Sequence, residues 1–159
     1  MARTSAGILL HRATDGGLEV LLVHPGGPFW AKKDHGAWSI PKGEHGPDED
    51  PLACAEREFA EELGHPAPPR HPDDLDLGTV KQSGGKVVQA FARRGDLDPA
   101  TIESNTFEVE WPPRSGRMQS FPEVDRAVWF DLAEARVRIN PAQSAFVDRL
   151  AEALGDGPG

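Results

Sequence analysis

The chain of 159 residues carries 26 acidic and 17 basic side chains, and its net charge of −9 disfavours a general binder of nucleic acids or anionic membranes. Its length suits a single domain that can bury a core. One cysteine, Cys54, excludes an intrachain disulfide, and no signal peptide or membrane-spanning apolar run is found, so we expect a cytoplasmic protein.

The first part of the chain predicts a β-hairpin followed by a short extended segment. Residues 5–10 and 18–24 are apolar runs of strand length, and the turn sequence Asp15-Gly16-Gly17 joins them. Residues 38–41, Trp-Ser-Ile-Pro, then lead into a region that is rich in glycine and acidic side chains.

A helix of about three and a half turns is predicted after this region. Asp50 followed by Pro51 is typical of an N-cap and a first helical residue. Gly64, with Pro66 behind it, predicts the end of the helix.

One side of this helix is acidic, and the adjacent side is apolar. At about 100° per residue, Glu58, Glu61 and Glu62 share an arc of about 100°. The apolar stripe beside them consists of Leu52, Phe59 and Leu63. Such convergence of carboxylates has two explanations: a solvated acidic surface, or oxygen ligands for a hard divalent cation such as Mg²⁺ or Mn²⁺.

The second half of the chain predicts another hairpin, two more strands and two helices. The strands are predicted at residues 75–81, 87–92, 106–111 and 127–130, the first two joined around Gly84 and Gly85. The helices are predicted at residues 131–137 and 140–154, with Asn140 as N-cap of the second. Residues 155–159 are too polar and glycine-rich to hold a structure, so we predict one domain over residues 1–154 and a disordered tail.

Residues 43–64, GEHGPDEDPLACAEREFAEELG, resemble the signature of the Nudix hydrolases, Gly-x5-Glu-x7-Arg-Glu-apolar-x-Glu-Glu-x-Gly. Seven identities at residue frequencies of roughly one in fifteen coincide by chance on the order of 10⁻⁸ at a given start. Because a solvated acidic face has no use for the glycine, glutamate and arginine upstream, the metal interpretation prevails. The resemblance implies an α/β/α sandwich with a mixed β-sheet between helices.

The resemblance also implies roles for the residues of the signature. Glu58, Glu61 and Glu62 match the metal-binding glutamates, and the backbone carbonyl of Gly43 matches a further ligand. Arg57 matches the arginine that holds a neighbouring glutamate in place. Glu49 matches a mainly structural position.

Glu123 is the candidate outside the signature. Many members of the family carry an acidic residue six positions before a tryptophan that opens a late strand, and Glu123 stands six before Trp129. The resemblance implies that it is a metal ligand or the general base; the alternative is a surface residue in a turn. We therefore predict Arg57, Glu58, Glu62 and Glu123 as catalytic.

The segment at residues 38–43 is similar to that of Nudix enzymes acting on nucleoside triphosphates and dinucleoside polyphosphates. Residues 84–92, 107–116 and 121–130 resemble a bacterial group of predicted nucleoside-triphosphate pyrophosphohydrolases. Candidate phosphate contacts are Lys42, Lys81 and Lys86, each of which could equally be a solvated lysine. Candidate base-stacking residues are Trp30, Trp38 and Trp111, for which packing in the structure is the alternative.

We therefore predict a hydrolase, dependent on Mg²⁺ or Mn²⁺, that cleaves a phosphoanhydride bond in nucleoside triphosphates or dinucleoside polyphosphates. A tyrosine beyond the signature is a marker of diadenosine polyphosphate hydrolases, and this chain contains no tyrosine. The proline typical of the ADP-ribose group is missing as well, so both absences disfavour these substrates. Alternatives are an ADP-ribose or nucleotide-sugar pyrophosphatase, an RNA 5′-pyrophosphohydrolase and a non-catalytic nucleotide sensor. The expected partner is a nucleotide rather than nucleic acid or membrane; monomer and homodimer stay open.

Overall fold

A computed structural model describes residues 3–155 and contains eight β-strands and three α-helices within that range. The strands are β1 (Thr4–Thr14), β2 (Gly17–Pro25), β3 (Lys42–Glu44), β4 (Leu75–Gln82), β5 (Lys86–Arg94), β6 (Thr106–Glu110), β7 (Met118–Pro122) and β8 (Val124–Asp131). The helices are α1 (Pro51–Leu63), α2 (Leu132–Arg138) and α3 (Ser144–Ala153).

Six of the strands form one mixed sheet. Its order is β4-β5-β1-β2-β8, and β3 pairs with the first residues of β1 while β2 pairs with the last ones. Strands β1 and β5 run parallel, and the other neighbouring strands are antiparallel. Strands β6 and β7 form a separate two-stranded ribbon. Both predicted hairpins, β1–β2 and β4–β5, are confirmed.

The helices cover both faces of the sheet. Because side chains alternate along a strand, β1 buries Ile8 and Leu10 on one face and Leu9 on the other. The first face packs against Phe59 and Leu63 of α1. The second packs against α2 and α3, whose buried side chains are Leu132, Ala135, Phe146, Val147, Leu150 and Ala151. The predicted α/β/α sandwich is therefore confirmed.

The buried face of α1 differs slightly from the predicted stripe. Cys54 and Ala55 are fully buried together with Phe59 and Leu63, whereas Leu52 is only half-buried. The spacing of 55, 59 and 63 repeats every four residues, which keeps these side chains on one line along the helix. Leu52 lies in the first turn of the helix, before this line of buried residues begins.

Three elements depart from the predictions. Strand β3 was not predicted because it has three residues including a glycine, and β7 was not predicted because MQSFP lacks apolar alternation. The predicted helix at residues 140–154 is divided into a 3₁₀ turn, Pro141–Gln143, and α3. Asn140 caps the turn, accepting a hydrogen bond from the Ala142 N–H at 2.9 Å.

The predicted tail at residues 155–159 lies outside the described residues, apart from Gly155. The domain bounds 1–154 accordingly stay a prediction. Within residues 3–155, no helix combines the length and the apolar character that crossing a membrane requires.

Candidate active site

Helix α1 is fixed at both ends by the residues that predicted its limits. The Asp50 carboxylate accepts a hydrogen bond from the Ala53 N–H at 3.0 Å, as an N-cap does. Gly64 adopts a left-handed conformation with φ of 73°, and its N–H donates to the Ala60 carbonyl. A side chain at Gly64 would also collide with Glu103, whose carbonyl oxygen lies 2.5 Å from the position of a Cβ. The two caps set the first and last residues of the helix, and with them the positions of its acidic side chains.

Five acidic side chains from three parts of the chain line one cavity of about 470 Å³. Glu58, Glu61 and Glu62 come from α1, Glu123 from the junction between β7 and β8, and Glu44 from β3. The other lining residues are Lys42, Gly43 and Asn105. The structure thus brings together all four glutamates that the sequence predicted as metal ligands.

The backbone holds Glu123 at this cavity from two sides. Its N–H donates to the Asn105 carbonyl at 2.9 Å, and its carbonyl accepts from the Gly26 N–H at 2.9 Å. The Asn105 N–H in turn donates to the backbone carbonyl of Glu61, also at 2.9 Å. Asn105 was not identified from the sequence, because this residue belongs to no motif and resembles an ordinary turn residue before a strand.

Gly43 leaves the space that the Glu58 carboxylate occupies. A Cβ added to Gly43 would lie 1.9 Å from the Glu58 carboxyl carbon, so any side chain there would displace this carboxylate. The Gly43 carbonyl accepts a hydrogen bond from the Cys54 thiol at 3.3 Å. The neighbouring Lys42 N–H donates to Glu62 Oε2 at 3.1 Å. The metal-ligand role of the Gly43 carbonyl stays a prediction.

Arg57 connects the acidic residues of the signature. Its Nε and Nη2 donate to the two oxygens of Glu49 at 3.0 and 2.9 Å, a bidentate pair. Its Nη1 reaches Glu58 at 3.1 Å and Glu61 at 3.4 Å. The hydrogen bonds from Arg57 keep the pKa of Glu49 below its ordinary value. Arg57 therefore orients two cavity carboxylates from outside.

Burial and mutual repulsion make the ionised state of these carboxylates costly. Loss of water raises the pKa of Glu62 to about 8, and the charges of Glu58 and Glu123 contribute to this shift against the influence of Lys42. Burial, followed by the charge of Glu61, raises the pKa of Glu58. Burial also lowers the pKa of the Lys42 ammonium group. Bound cations would reverse the shifts of the carboxylates.

The raised pKa of Glu62 predicts a pH-dependent stability in the absence of metal. Between pH 4.5 and 8 the folded protein keeps a proton that the unfolded chain has lost, so its stability falls as the pH rises. We expect Glu62→Gln to remove this loss, exceeding the wild type in unfolding free energy by on the order of 4 kcal/mol at pH 9 and by little at pH 4.5. Urea unfolding in EDTA measures this difference in unfolding free energy at each pH. A difference that does not change with pH would contradict the prediction. Glu152→Gln on the exposed side of α3 is the control.

The donor set fits hard divalent cations, which prefer carboxylate oxygens. As the side chains stand, no three histidine, cysteine, aspartate or glutamate side chains within residues 3–155 are arranged to hold a metal ion. The reason lies in their present partners: Arg57 contacts Glu58 and Glu61, and the Lys42 N–H occupies one oxygen of Glu62. The metal-ligand roles of Glu58, Glu61, Glu62 and Glu123 therefore stay a prediction, and metal binding would require these side chains to leave their present partners.

The three candidate lysines occupy different places. Lys42 lines the cavity, and Lys86 lies close enough for its charge to lower the pKa of the Lys42 ammonium group. Lys81 is exposed on β4, opposite Val87, and is absent from the cavity lining. The structure therefore places one of the three predicted phosphate contacts, Lys42, in the cavity lining, while Lys86 acts on it only through its charge.

The three candidate tryptophans also separate. Trp38 is 2% exposed, packed edge-on against His24 and Phe130, so it is a core residue without a free face and the stacking prediction is corrected. Trp30 is 39% exposed, with the Lys33 ammonium group 4.9 Å from its ring. Trp111, which follows β6, is half-buried and meets the exposed Phe29 edge-on at 5.3 Å.

Comparison with known proteins bears on the fold and the family. Ap4A hydrolase from C. elegans in a binary complex has a TM-score of 0.67 at 20% identity, over 98% of this chain and 100% of that one. The NUDIX domain of Shewanella oneidensis NrtR, complexed with ADP ribose, has a TM-score of 0.64 at 18% identity, over 97% and 89%. RenU, a Nudix hydrolase from M. smegmatis, has a TM-score of 0.61 at 22% identity, over 98% and 88%.

A search of curated proteins finds no match to this chain. The family model described as NUDIX domain, however, matches residues 1–150. This match contains the signature helix, the cavity and Glu123. The chain therefore belongs to the NUDIX domain family.

Proposed function

We propose that this protein hydrolyses a phosphoanhydride bond in a nucleotide, with Mg²⁺ or Mn²⁺ held by Glu58, Glu61 and Glu62 and with Glu123 as the proton acceptor. The observation that carries the proposal is the single cavity that these four carboxylates share with Lys42. A solvated acidic face would account for the three glutamates of α1 but not for Glu123, which the chain brings to them from the junction of β7 and β8. The four side chains also lie beside Lys42, a half-buried lysine whose ammonium group can contact a phosphate.

Each residue around the cavity has a separate task in this reaction. The Lys42 and Lys86 ammonium groups bind phosphate oxygens, and Arg57 keeps Glu58 and Glu61 directed at the cavity. A carboxylate oxygen of Glu123 accepts the proton of the attacking water. When bound, divalent cations supply neutralisation of phosphate charge and activation of water.

We propose that the substrate carries three or more consecutive phosphates, as in nucleoside triphosphates or dinucleoside polyphosphates. Lys42 in the cavity and Lys86, whose charge acts on Lys42 from outside the cavity lining, spread positive charge along a phosphate chain beyond the carboxylates. Trp111 with its neighbour Phe29 offers an aromatic surface for a base. The names of the similar structures include both Ap4A and ADP ribose, and at 20% and 18% identity they leave the substrate open.

A substrate panel tests the proposal. Purified protein is incubated with nucleoside triphosphates, dinucleoside polyphosphates, ADP-ribose and 5′-triphosphate RNA, with and without EDTA. We expect the fastest turnover on a nucleotide with at least three consecutive phosphates, and none in EDTA. Faster turnover of ADP-ribose overturns the substrate class alone, whereas failure to hydrolyse any of them overturns the proposal and favours a nucleotide sensor.

Lys42→Ala is expected to lower kcat/KM on a long-chain substrate by about one to two decades, and clearly less on ADP-ribose. A charge-assisted contact contributes roughly 1.5–3 kcal/mol, and a longer phosphate chain depends more on charge outside the metal site. Steady-state kinetics on both substrates measure the effect. Arg136→Ala, which removes a positive charge from α2, is the control. An equal loss on both substrates contradicts a role along the chain.

A further inference from the structure

Gln143 is a fully buried polar residue that the proposed reaction leaves without a task. It is the last residue of the 3₁₀ turn and directly precedes α3, with an exposed fraction of 0%. Its backbone, at φ −99° and ψ −5°, departs from regular helix geometry, which divides the helix predicted at residues 140–154. The side-chain amide reaches two other segments, one containing Ser39 and Ile40 and the other containing Gln82.

Counting donors and acceptors fixes the orientation of this amide. The Ile40 N–H can only donate, so the group facing it at 3.1 Å must be Gln143 Oε1. Gln143 Nε2 then donates to Gln82 Oε1 at 2.8 Å and to Ser39 Oγ at 3.1 Å, while the Ser39 hydroxyl donates to the Ile40 carbonyl at 2.7 Å. Both hydrogens of the Gln143 amide are thus used.

The two segments that Gln143 contacts lead to the two lysines of the proposed phosphate site, of which Lys42 lines the cavity and Lys86 lies outside its lining. Ser39 and Ile40 line a second cavity of about 210 Å³, which shares Lys42, Glu62 and Glu123 with the larger one. Only Pro41, with its fixed φ, separates Ile40 from Lys42. The other lining residues of the second cavity are Val23, Pro25 and Val124.

The second connection passes through β4 and β5. Gln82 is the last residue of β4 and pairs with Lys86, the first residue of β5. The turn between them contains Gly84 and Gly85, each with positive φ, and an added Cβ would meet nothing within 4 Å at either glycine. The hydrogen bond from Gln143 therefore holds Gln82 in place at the start of a turn whose glycines face open space.

We infer that Gln143 is a positioning residue for phosphate binding, acting through Ser39–Ile40 on Lys42 and through Gln82 on Lys86. The inference rests on the proposed function, in which these two lysines bind the phosphate chain. One buried amide sets the spacing of two ammonium groups that belong to segments far apart in sequence. Its loss moves both lysines relative to the carboxylates and weakens the binding of consecutive phosphates.

The test uses Gln143→Met, which keeps the length of the side chain and removes its hydrogen bonds. Binding of inorganic tripolyphosphate with Mg²⁺ is measured by calorimetry, so the readout does not depend on turnover. We expect Gln143→Met to raise the Kd about 10-fold. In kinetics on a long-chain nucleotide, KM rises by a similar factor and kcat stays within about twofold.

A background without both lysines separates positioning from a structural effect. In Lys42→Ala with Lys86→Ala, the same change at Gln143 should alter tripolyphosphate affinity less than about twofold, because it has no lysines left to act on. An undiminished 10-fold loss in that background overturns the inference. If the double alanine variant itself binds tripolyphosphate as the wild type does, the proposed lysine role fails, and the inference fails with it.

Two further variants keep the result independent of folding. Gln89→Leu removes another half-buried amide on β5, one that bonds to Asp76 and lines neither cavity, and it should leave the affinity unchanged. If Gln143→Met does not fold, Gln82→Leu breaks the link to Lys86 alone at a half-buried site. An unchanged affinity in a folded Gln82→Leu variant then overturns the connection through β4.

Discussion

Glu62→Gln is expected to lower nucleotide hydrolysis by on the order of 10³-fold or more, because a neutral amide cannot replace a charged oxygen ligand of a hard cation. A divalent ion at a phosphoryl centre contributes several kcal/mol of charge stabilisation, and each 1.36 kcal/mol is a factor of ten in rate. The side-chain amide oxygen of the Glu62→Gln variant can still accept a hydrogen bond from the Lys42 N–H, so the strand and helix should keep their contact. Glu61→Gln should behave alike.

Rates are measured over a titration of Mg²⁺ and Mn²⁺ and in EDTA, together with the thermal stability of each variant. Glu152→Gln on the exposed side of α3 makes the same chemical change outside the cavity and should retain the wild-type rate. Full activity of the wild type in EDTA, or a Glu62→Gln enzyme at the wild-type rate, would contradict the metal site. A loss of activity with unchanged or higher apo stability supports it.

The signature helix was predictable because every signal for it is local. Asp50 and Pro51 mark its start, Gly64 marks its end, and the helical period alone puts Glu58 and Glu62 on one side. The layers of the sandwich were implied by the resemblance, and they arise because strands such as β1 bury side chains on both faces. Patterns of this kind depend on neighbours within about one turn or one strand.

The closure of the site was less predictable because it depends on contacts between distant segments. The family spacing to Trp129 indicated Glu123, but the bonds to Gly26 and Asn105 that hold it at the cavity join three loops. Trp38 gives the opposite lesson. A tryptophan in a turn-rich segment looks the same in sequence whether or not it is covered, and its cover is formed by His24 and Phe130 of other strands.

A protein with a net charge of −9 also needs a physical means of binding a polyphosphate. An acidic protein repels a polyphosphate, and the five glutamates that line the cavity would repel it most strongly. Bound divalent cations invert the field at this place, and Lys42 and Lys86 extend the positive region along the chain of phosphates. Both the substrate affinity and the rate of hydrolysis should therefore depend on the concentration of the divalent metal.

Glu123→Gln is expected to lower kcat by on the order of 10²-fold or more with little change in KM, as the loss of a proton acceptor does. The substitution preserves the shape of the side chain. It also leaves both backbone hydrogen bonds of residue 123 in place, so the junction of β7 and β8 should not move. Stopped or quenched assays at saturating substrate measure kcat, and Glu108→Gln on the exposed side of β6 is the control.

Metal affinity distinguishes the two roles predicted for Glu123. If the residue is the base, activity stays low when Mg²⁺ is raised, because the missing group accepts a proton rather than holding the ion. If it is mainly a ligand, the apparent metal affinity falls and excess Mg²⁺ restores much of the rate. Unchanged turnover at ordinary Mg²⁺ would exclude both roles and move proton acceptance to Glu58 or Glu62 of α1, which lie in the same cavity.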